Sequence, residues 1–84
     1  MDWDKLKAFY VVALNKSITK ASKKLNISQS AISRQIQDLE FDLKTSLFMR
    51  HQKGVTLTEQ GEILYNTVHN INISISDLNP WVFL

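Results

Sequence analysis

One stretch in the middle of the chain carries side chains suited to hydrogen bonding with a partner. At helical spacing it presents small or polar residues and one cation: Gln29, Ser30, Ser33, Arg34 and Gln37. Glutamine can pair with adenine, arginine can bridge the two acceptors of guanine, and serine can serve either base. A face selected only for solubility usually mixes acids with bases. Acids begin only past this stretch, as Asp38, Glu40 and Asp42. The pattern favours contact with DNA over an ordinary solvated helix face.

A second basic group falls on a predicted β-hairpin. Two short β-prone runs, 47–50 and 55–58, flank a polar loop that contains Gly54, an arrangement typical of a hairpin. Arg50 and Lys53 lie at or beside its tip. Next to a DNA-reading helix such a tip can enter the minor groove or clamp phosphates. Taken alone, it would be a surface turn with ordinary cations.

Other chemistry is poorly supported by the residues present. The chain has no cysteine, which excludes disulfides, thiolate zinc sites and a thiol nucleophile. His51 and His69 lie far apart on different predicted elements, and two glycines in all cannot form a glycine-rich phosphate loop. We therefore predict that the chain is not an enzyme and that it has no catalytic residue, metal or cofactor.

The polar residues from Gln29 to Gln37 share one face only if they lie on a helix. Ser28 is a suitable N-cap for a helix over 29–43. The apolar stripe of this helix has the helical period: Ile32, Ile36, Leu39 and Leu43. Two helices are predicted before it, over 3–15 and from an N-cap at Ser17 or Thr19 to Leu25. Two helices joined by a tight turn at 26–27 have the layout of a helix-turn-helix, here over about 18–37.

A fourth helix is predicted after the hairpin, from a cap at Thr58 to about Asn79, where Pro80 ends it. Its apolar residues alternate in steps of four and three: Leu64, Val68, Ile71, Ile75 and Leu78. This spacing is the a/d seam of a coiled coil and predicts dimerisation. Residues 71–76 also alternate with period two, as a strand would, although the longer pattern favours a helix.

Length and charge fit a small domain with an anionic partner. The chain has 84 residues and a formal net charge of +2, enough for one domain. All Lys and Arg residues lie between Lys5 and Lys53, and from Gly54 onward the only Asp, Glu, Lys or Arg residues are the acids Glu59, Glu62 and Asp77. On charge alone, a basic front half fits an anionic partner and an ordinary solvated surface about equally well. No apolar run is long enough to span a membrane, and the acidic N-terminus is unlike a signal peptide, so we expect a cytoplasmic protein.

The residues from about Leu6 to Gly61 resemble the N-terminal DNA-binding domain of LysR-type bacterial transcriptional regulators. The resemblance is densest over 21–40 and continues through two later motifs. The segments that carry it are Ser28-Gln29, Ser33-Arg34-Gln35-Ile36, Leu47-Phe48-Met49-Arg50 and Leu57-Thr58-Glu59-Gln60-Gly61. Their order and fixed distances make the combination specific.

The resemblance implies a mostly α winged helix-turn-helix, with three helices and a short β-hairpin wing, followed by a long dimerising linker helix. It implies that Gln29, Ser30, Ser33 and Arg34 contact DNA in the major groove, and that Arg50 and Lys53 belong to the basic wing. Members of the family bind imperfect inverted repeats of double-stranded DNA as dimers or tetramers.

Three positions depart from the common family pattern. Ser30 stands where proline is frequent, Ile18 replaces a common phenylalanine, and Lys44 occupies a place often held by glycine. Lysine disfavours the left-handed cap that glycine supplies. The residue at which the third helix ends is therefore not determined by the sequence.

We therefore predict a DNA-binding domain over 1–58, with its wing over about 47–58, then a linker helix over 59–79 and a tail over 80–84. We expect this chain to lack the effector-sensing domain of the family and therefore to bind no small-molecule effector. The predicted function is sequence-specific DNA binding by a regulator that acts as a homodimer or higher oligomer. The alternative is a protein-interaction module, or a dominant-negative form that pairs with a full-length relative.

Overall fold

Four helices and one β-hairpin form the part of the chain that the structure describes. The structure, a computed structural model, describes residues 3–74 and the side chains of residues 3–70. In chain order the elements are α1 (Trp3–Asn15), α2 (Ile18–Leu25), α3 (Gln29–Leu43), β1 (Phe48–His51), β2 (Gly54–Leu57) and α4 (Glu59–Ser74). This is the mostly helical winged helix-turn-helix that the sequence predicts.

Serine caps set the start of the two helices of the helix-turn-helix. The Ser17 hydroxyl accepts from the backbone N–H of Lys20 at 3.1 Å, so Ser17 rather than Thr19 is the cap of α2. The Ser28 hydroxyl accepts from the N–H of Ala31, also at 3.1 Å. Between them Asn26 takes the left-handed conformation that ends α2, with φ 57°, which asparagine tolerates better than most residues. These local signals fix the tight turn that places α3.

The end of α3 is also left-handed, although the residue there is a lysine. Lys44 has φ 56° and ψ 39°, and its N–H donates to the Phe41 carbonyl at 3.2 Å. The next N–H, of Thr45, donates to the carbonyl of Glu40 at 3.1 Å. These bonds close the last turn as a glycine cap would. The helix therefore ends at Leu43 as predicted, in spite of the steric cost of a side chain at Lys44.

The core lies between α1 and the apolar face of α3. Of the predicted stripe, Ile32, Ile36 and Leu39 are fully buried and Leu43 is partly buried. They pack in two groups, one around Val11 and Val12 and one around Phe9 and Leu47. Burial of one such side chain contributes about 1.5–3 kcal/mol. This packing fixes the rotation of α3, so its opposite face must point away from the core.

The hairpin is tighter than the sequence indicated. β1 begins at Phe48 and β2 ends at Leu57, each one residue inside the predicted wing of 47–58. The antiparallel register pairs Phe48 with Leu57, Met49 with Thr56, Arg50 with Val55 and His51 with Gly54. The connection is therefore a two-residue turn at 52–53. The N–H of Val55 donates to the Lys16 carbonyl at 3.2 Å, which holds the wing against the end of α1.

Thr58 caps α4 and ties it to the segment before the wing. Its hydroxyl accepts from the Gly61 N–H at 3.0 Å and donates to the Ser46 carbonyl at 2.7 Å. Further along, Val68 is 4% exposed and packs on Tyr10 of α1, and Leu64 is partly buried beside it. These first two residues of the predicted seam thus contribute to the core of the same chain.

The rest of the predicted seam reaches the limit of the described residues. The backbone of 71–74 is helical, which favours the helical interpretation over the strand for those residues. The side chain of Ile71 and the whole of Ile75 and Leu78 lie outside the described part, as do the predicted end of the helix and the tail. Dimerisation through them stays a prediction.

Candidate nucleic-acid interface

The exposed face of α3 brings the predicted contact residues together. Gln29, Ser30, Arg34 and Gln37 are exposed, and Ser33 is partly buried between them. They form two adjacent rows, one of Gln29, Ser33 and Gln37 and one of Ser30 and Arg34, each with a four-residue step. Because the reverse side of the helix is held in the core, this face has a fixed orientation relative to the rest of the domain. Arginine, glutamine and hydroxyl groups on a rigid helix can form hydrogen bonds with base edges.

The N-cap and the first turn of α3 each carry a serine, and the two are in contact. The hydroxyl oxygens of Ser28 and Ser30 lie 3.2 Å apart. An open depression follows, and its lining includes Ser30, Arg34 and Gln35. Ser30 stands where the family frequently has proline. The serine therefore adds a hydroxyl group to the N-terminal end of the polar face.

Basic side chains surround this face. Lys20, Lys23 and Lys24 are exposed on α2, the helix that precedes the turn. On the wing, Arg50 and Lys53 are exposed, with Lys53 in the two-residue turn. In a helix-turn-helix, the helix before the recognition helix crosses the DNA backbone. The lysines of α2 are therefore candidate phosphate contacts, which the sequence analysis did not assign.

The polar face stops before the C-terminal end of α3. There Asp42 forms an ion pair with Lys5 of α1 at 3.4 Å, and Phe41 is 82% exposed. An ion pair at the surface contributes little stability. Within α3, the exposed surface that is free of acids is therefore limited to residues 29–37.

Glu40 has a role that sequence reasoning missed. Its Oε2 accepts from the N–H of Leu47 at 2.6 Å and from the N–H of Phe48 at 3.3 Å. From the sequence, Glu40 was noted only as one of the acids that follow the polar face. Its spacing contained a signal, because it stands four residues after the buried Ile36 and so lies at the edge of the apolar stripe.

A stack of three rings joins α1 to α4, away from the polar face. The rings of Tyr10 and Tyr65 are 5.2 Å apart at 10°, and the ring of His69 lies 5.8 Å from that of Tyr65. The Tyr10 hydroxyl and the His69 Nδ1 are 2.8 Å apart and share a hydrogen bond. Burial and the neighbouring Tyr10 raise the pKa of Tyr65. We interpret this group as a structural contact that orients α4.

Neither a metal centre nor a membrane helix is found in residues 3–74. No group of three His, Cys, Asp or Glu side chains there is placed to hold a metal ion. None of the helices in this range has the length and apolar character to cross a bilayer.

The fold and its exposed helix define the class of the domain, a winged helix-turn-helix of the DNA-binding type. Residues 3–62 match the family described as bacterial regulatory helix-turn-helix proteins of the LysR type. The chain belongs to the LysR family. This membership confirms the resemblance found in the sequence, and it confirms that the chain is not an enzyme, because the family consists of transcriptional regulators.

Curated relatives include two transcriptional regulators of Bacillus subtilis (strain 168). The HTH-type transcriptional regulator CzcR is 43% identical over 84 residues, which cover 100% of this chain and 29% of that protein. The regulator GltR is 43% identical over 72 residues, which cover 86% of this chain and 24% of that protein. The chain therefore spans less than a third of the length of these relatives.

Solved structures with the same fold include two complexes with DNA. The crystal structure of the CbnR DNA-binding domain with DNA is 34% identical, with a TM-score of 0.82, and the match covers 92% of this chain and 88% of that one. The complex of the BenM DNA-binding domain with the catB site 1 DNA is 33% identical, with a TM-score of 0.84 and coverage of 93% and 88%.

Proposed function

We propose that this chain is a sequence-specific DNA-binding domain of a LysR-type transcriptional regulator. The observation that carries the proposal is the face of α3, which is polar, free of carboxylates and exposed, on a helix whose other side is buried in the core. Structural relatives at 34% and 33% identity were crystallised with DNA, which supports the same partner here. A regulator of this kind would act in the bacterial cytoplasm, at the nucleoid.

In this proposal α3 enters the major groove of double-stranded DNA and its side chains have distinct roles. Arg34 recognises a guanine through its two acceptors, and Gln29 and Gln37 have the side-chain amide that pairs with adenine. The hydroxyls of Ser30 and Ser33 contact base edges or the neighbouring phosphates. The family resemblance supports Gln29, Ser30, Ser33 and Arg34, while Gln37 rests on its exposure in the same row.

The wing would bind beside the same site. Arg50 and Lys53 are exposed and cationic, as contact with phosphates or with a narrow minor groove requires. Contacts of this kind add affinity and orientation but little direct reading of sequence.

The domain would act as a homodimer, or as a tetramer, on an imperfect inverted repeat. We propose the division made from the sequence, with the DNA-binding domain over 1–58 and the linker helix over 59–79. The four-three spacing that ends in Ile71, Ile75 and Leu78 supports pairing of two linker helices. Two helix-turn-helix units joined in this way contact half-sites separated by about one helical turn or a multiple of it.

The test is selection of duplexes from a random pool at about 150 mM salt, where non-specific phosphate binding is already weak. We expect enrichment of an inverted repeat. The Arg34→Ala variant, folded by circular dichroism, is the control and should enrich a weaker or altered motif. A folded wild-type chain that enriches no motif would contradict the proposal and would favour a protein partner.

A further inference from the structure

The segment that leads into the wing is held by a carboxylate from α3. A single oxygen, Glu40 Oε2, accepts from two consecutive backbone N–H groups, those of Leu47 and Phe48. Hydrogen bonds to an ionised acceptor are stronger and shorter than neutral ones. The helix that carries the polar face and the first strand of the wing are thus connected by one side chain.

Thr58, the residue that caps α4, holds the same segment from the other side. The N–H of Thr58 donates to the Leu47 carbonyl at 3.0 Å, and its hydroxyl donates to the Ser46 carbonyl at 2.7 Å. The Leu47 side chain is 1% exposed. Because the carbonyl groups face α4 and the N–H groups face Glu40, the segment has a defined orientation relative to both helices.

Burial separates Glu40 from the other acids of α3. Asp38 is exposed two residues away, whereas Glu40 is partly buried between α3 and β1. A solvated carboxylate near DNA would weaken binding through repulsion of the phosphates. The hydrogen bonds of Glu40 indicate a different role, since they act on the backbone that carries Arg50 and Lys53.

We propose that Glu40 is a positioning residue that sets the wing relative to α3, so that helix and wing contact one stretch of DNA together. This inference rests on the proposed function. Without the carboxylate, the N–H groups of Leu47 and Phe48 lose their acceptor and the hairpin gains freedom to pivot. Binding through α3 would persist, while binding through the wing would become weaker.

The sign of the effect distinguishes positioning from charge. Glu40→Ala and Asp38→Ala each remove one negative charge from the same helix. Simple electrostatics predicts equal or tighter DNA binding for both variants. Positioning predicts unchanged or slightly tighter binding for Asp38→Ala and about tenfold weaker binding for Glu40→Ala.

The experiment is a double-mutant cycle on the selected duplex, with affinity measured by fluorescence anisotropy. Glu40→Ala is tested in the wild-type chain and in a chain whose wing cations are removed by Arg50→Ala and Lys53→Ala. We expect the loss caused by Glu40→Ala to shrink to about twofold or less when the wing cations are absent. The inference would be overturned if Glu40→Ala reduced affinity by the same factor in both backgrounds. It would also be overturned if removal of the wing cations left the affinity of the wild-type chain unchanged.

A stability measurement and a conservative variant complete the experiment. Thermal melting establishes that each variant is folded at the assay temperature, and Glu40→Gln replaces the alanine variant if that one unfolds. The amide oxygen of glutamine still accepts hydrogen bonds, so this variant should recover part of the loss. A wild-type chain that selects no duplex would refute the proposed function itself, whereas normal wild-type binding without coupling would refute only the role of Glu40.

Discussion

At the scale of the residue, Arg34 has the side chain best suited to identify a base. Its guanidinium is exposed on the acid-free face of α3. We expect Arg34→Ala to weaken binding to the selected duplex by about 1–3 kcal/mol and to relax base preference at one position of each half-site. Competition among duplexes that differ at single positions measures this. An equal loss on random and selected duplexes would contradict base recognition by Arg34.

Lys53 should behave differently, because a contact with phosphate does not depend on sequence. We expect Lys53→Ala to weaken binding to selected and random duplexes by a similar factor and to lower the slope of log K against log salt by about one. Titrations at several salt concentrations measure that slope. Glu59→Ala on α4, an exposed residue outside the proposed interface, is the control. An unchanged slope in Lys53→Ala would remove the wing tip from the interface.

Lys44 shows that an unfavourable residue type can still occupy a left-handed cap. Its φ of 56° suits glycine, because a Cβ in this conformation approaches the following carbonyl oxygen. We therefore expect Lys44→Gly to raise the free energy of unfolding by about 0.5–1 kcal/mol, after allowance for the greater freedom of glycine in the unfolded chain. Urea denaturation measures it.

The matched control for this variant is Lys23→Gly. Lys23 is exposed within α2, where glycine should lower the free energy of unfolding by about 1 kcal/mol. The same substitution should thus have opposite signs at the two positions. Destabilisation by Lys44→Gly would show that the lysine side chain makes a contribution larger than the strain.

At the scale of the element, the close approach of α4 to the segment before the wing depends on Gly61. A Cβ at this position would collide with the Leu47 carbonyl oxygen and touch the Leu57 side chain. We expect Gly61→Ala to lower the free energy of unfolding by about 2–3 kcal/mol, because α4 must shift away from the wing. Chemical denaturation measures the loss. Gln60→Ala, at an exposed neighbour on the same turn, should change stability little, and similar stabilities for the two variants would contradict the close approach.

Elements were predictable where local sequence decides them. The apolar period of α3, its serine cap and the asparagine turn before it specify a helix and its orientation without knowledge of the rest of the chain. Glu40 was not predictable as a link to the wing, since its partners are backbone N–H groups whose position depends on the tertiary fold. The roles assigned to the polar face, from Gln29 to Gln37, stay predictions until binding is measured.

The heptad pattern of α4 shows a second limit of sequence reasoning. A four-three spacing identifies an apolar stripe on a helix, but it does not identify the surface that covers the stripe. Leu64 and Val68 pack on α1 of the same chain. Their spacing is indistinguishable from that of Ile71, Ile75 and Leu78, for which a second copy of the chain is the proposed partner.

At the scale of the whole molecule, α4 and the apolar residues that continue its spacing would thus serve different purposes. The stretch of α4 from Leu64 to His69 is fixed to the DNA-binding body by Leu64, Val68 and the ring stack of Tyr10, Tyr65 and His69. In a dimer paired through Ile71, Ile75 and Leu78, this attachment would set the positions of the two recognition helices relative to each other. Half-site spacing on the DNA would then depend on the angle at which α4 leaves the body.

The dimer itself is tested by a charge in the proposed seam. We expect Ile71→Asp to shift a dimer to monomers in light scattering, because a carboxylate in an apolar seam loses hydration without gaining a partner. Asn66→Asp adds the same charge at an exposed position of α4 on a different side of the helix, and should leave the dimer intact. Loss of the dimer should also weaken binding to an inverted repeat far more than to a single half-site, since the second half-site then binds independently. A dimer that persists in Ile71→Asp would show that another surface joins the two copies.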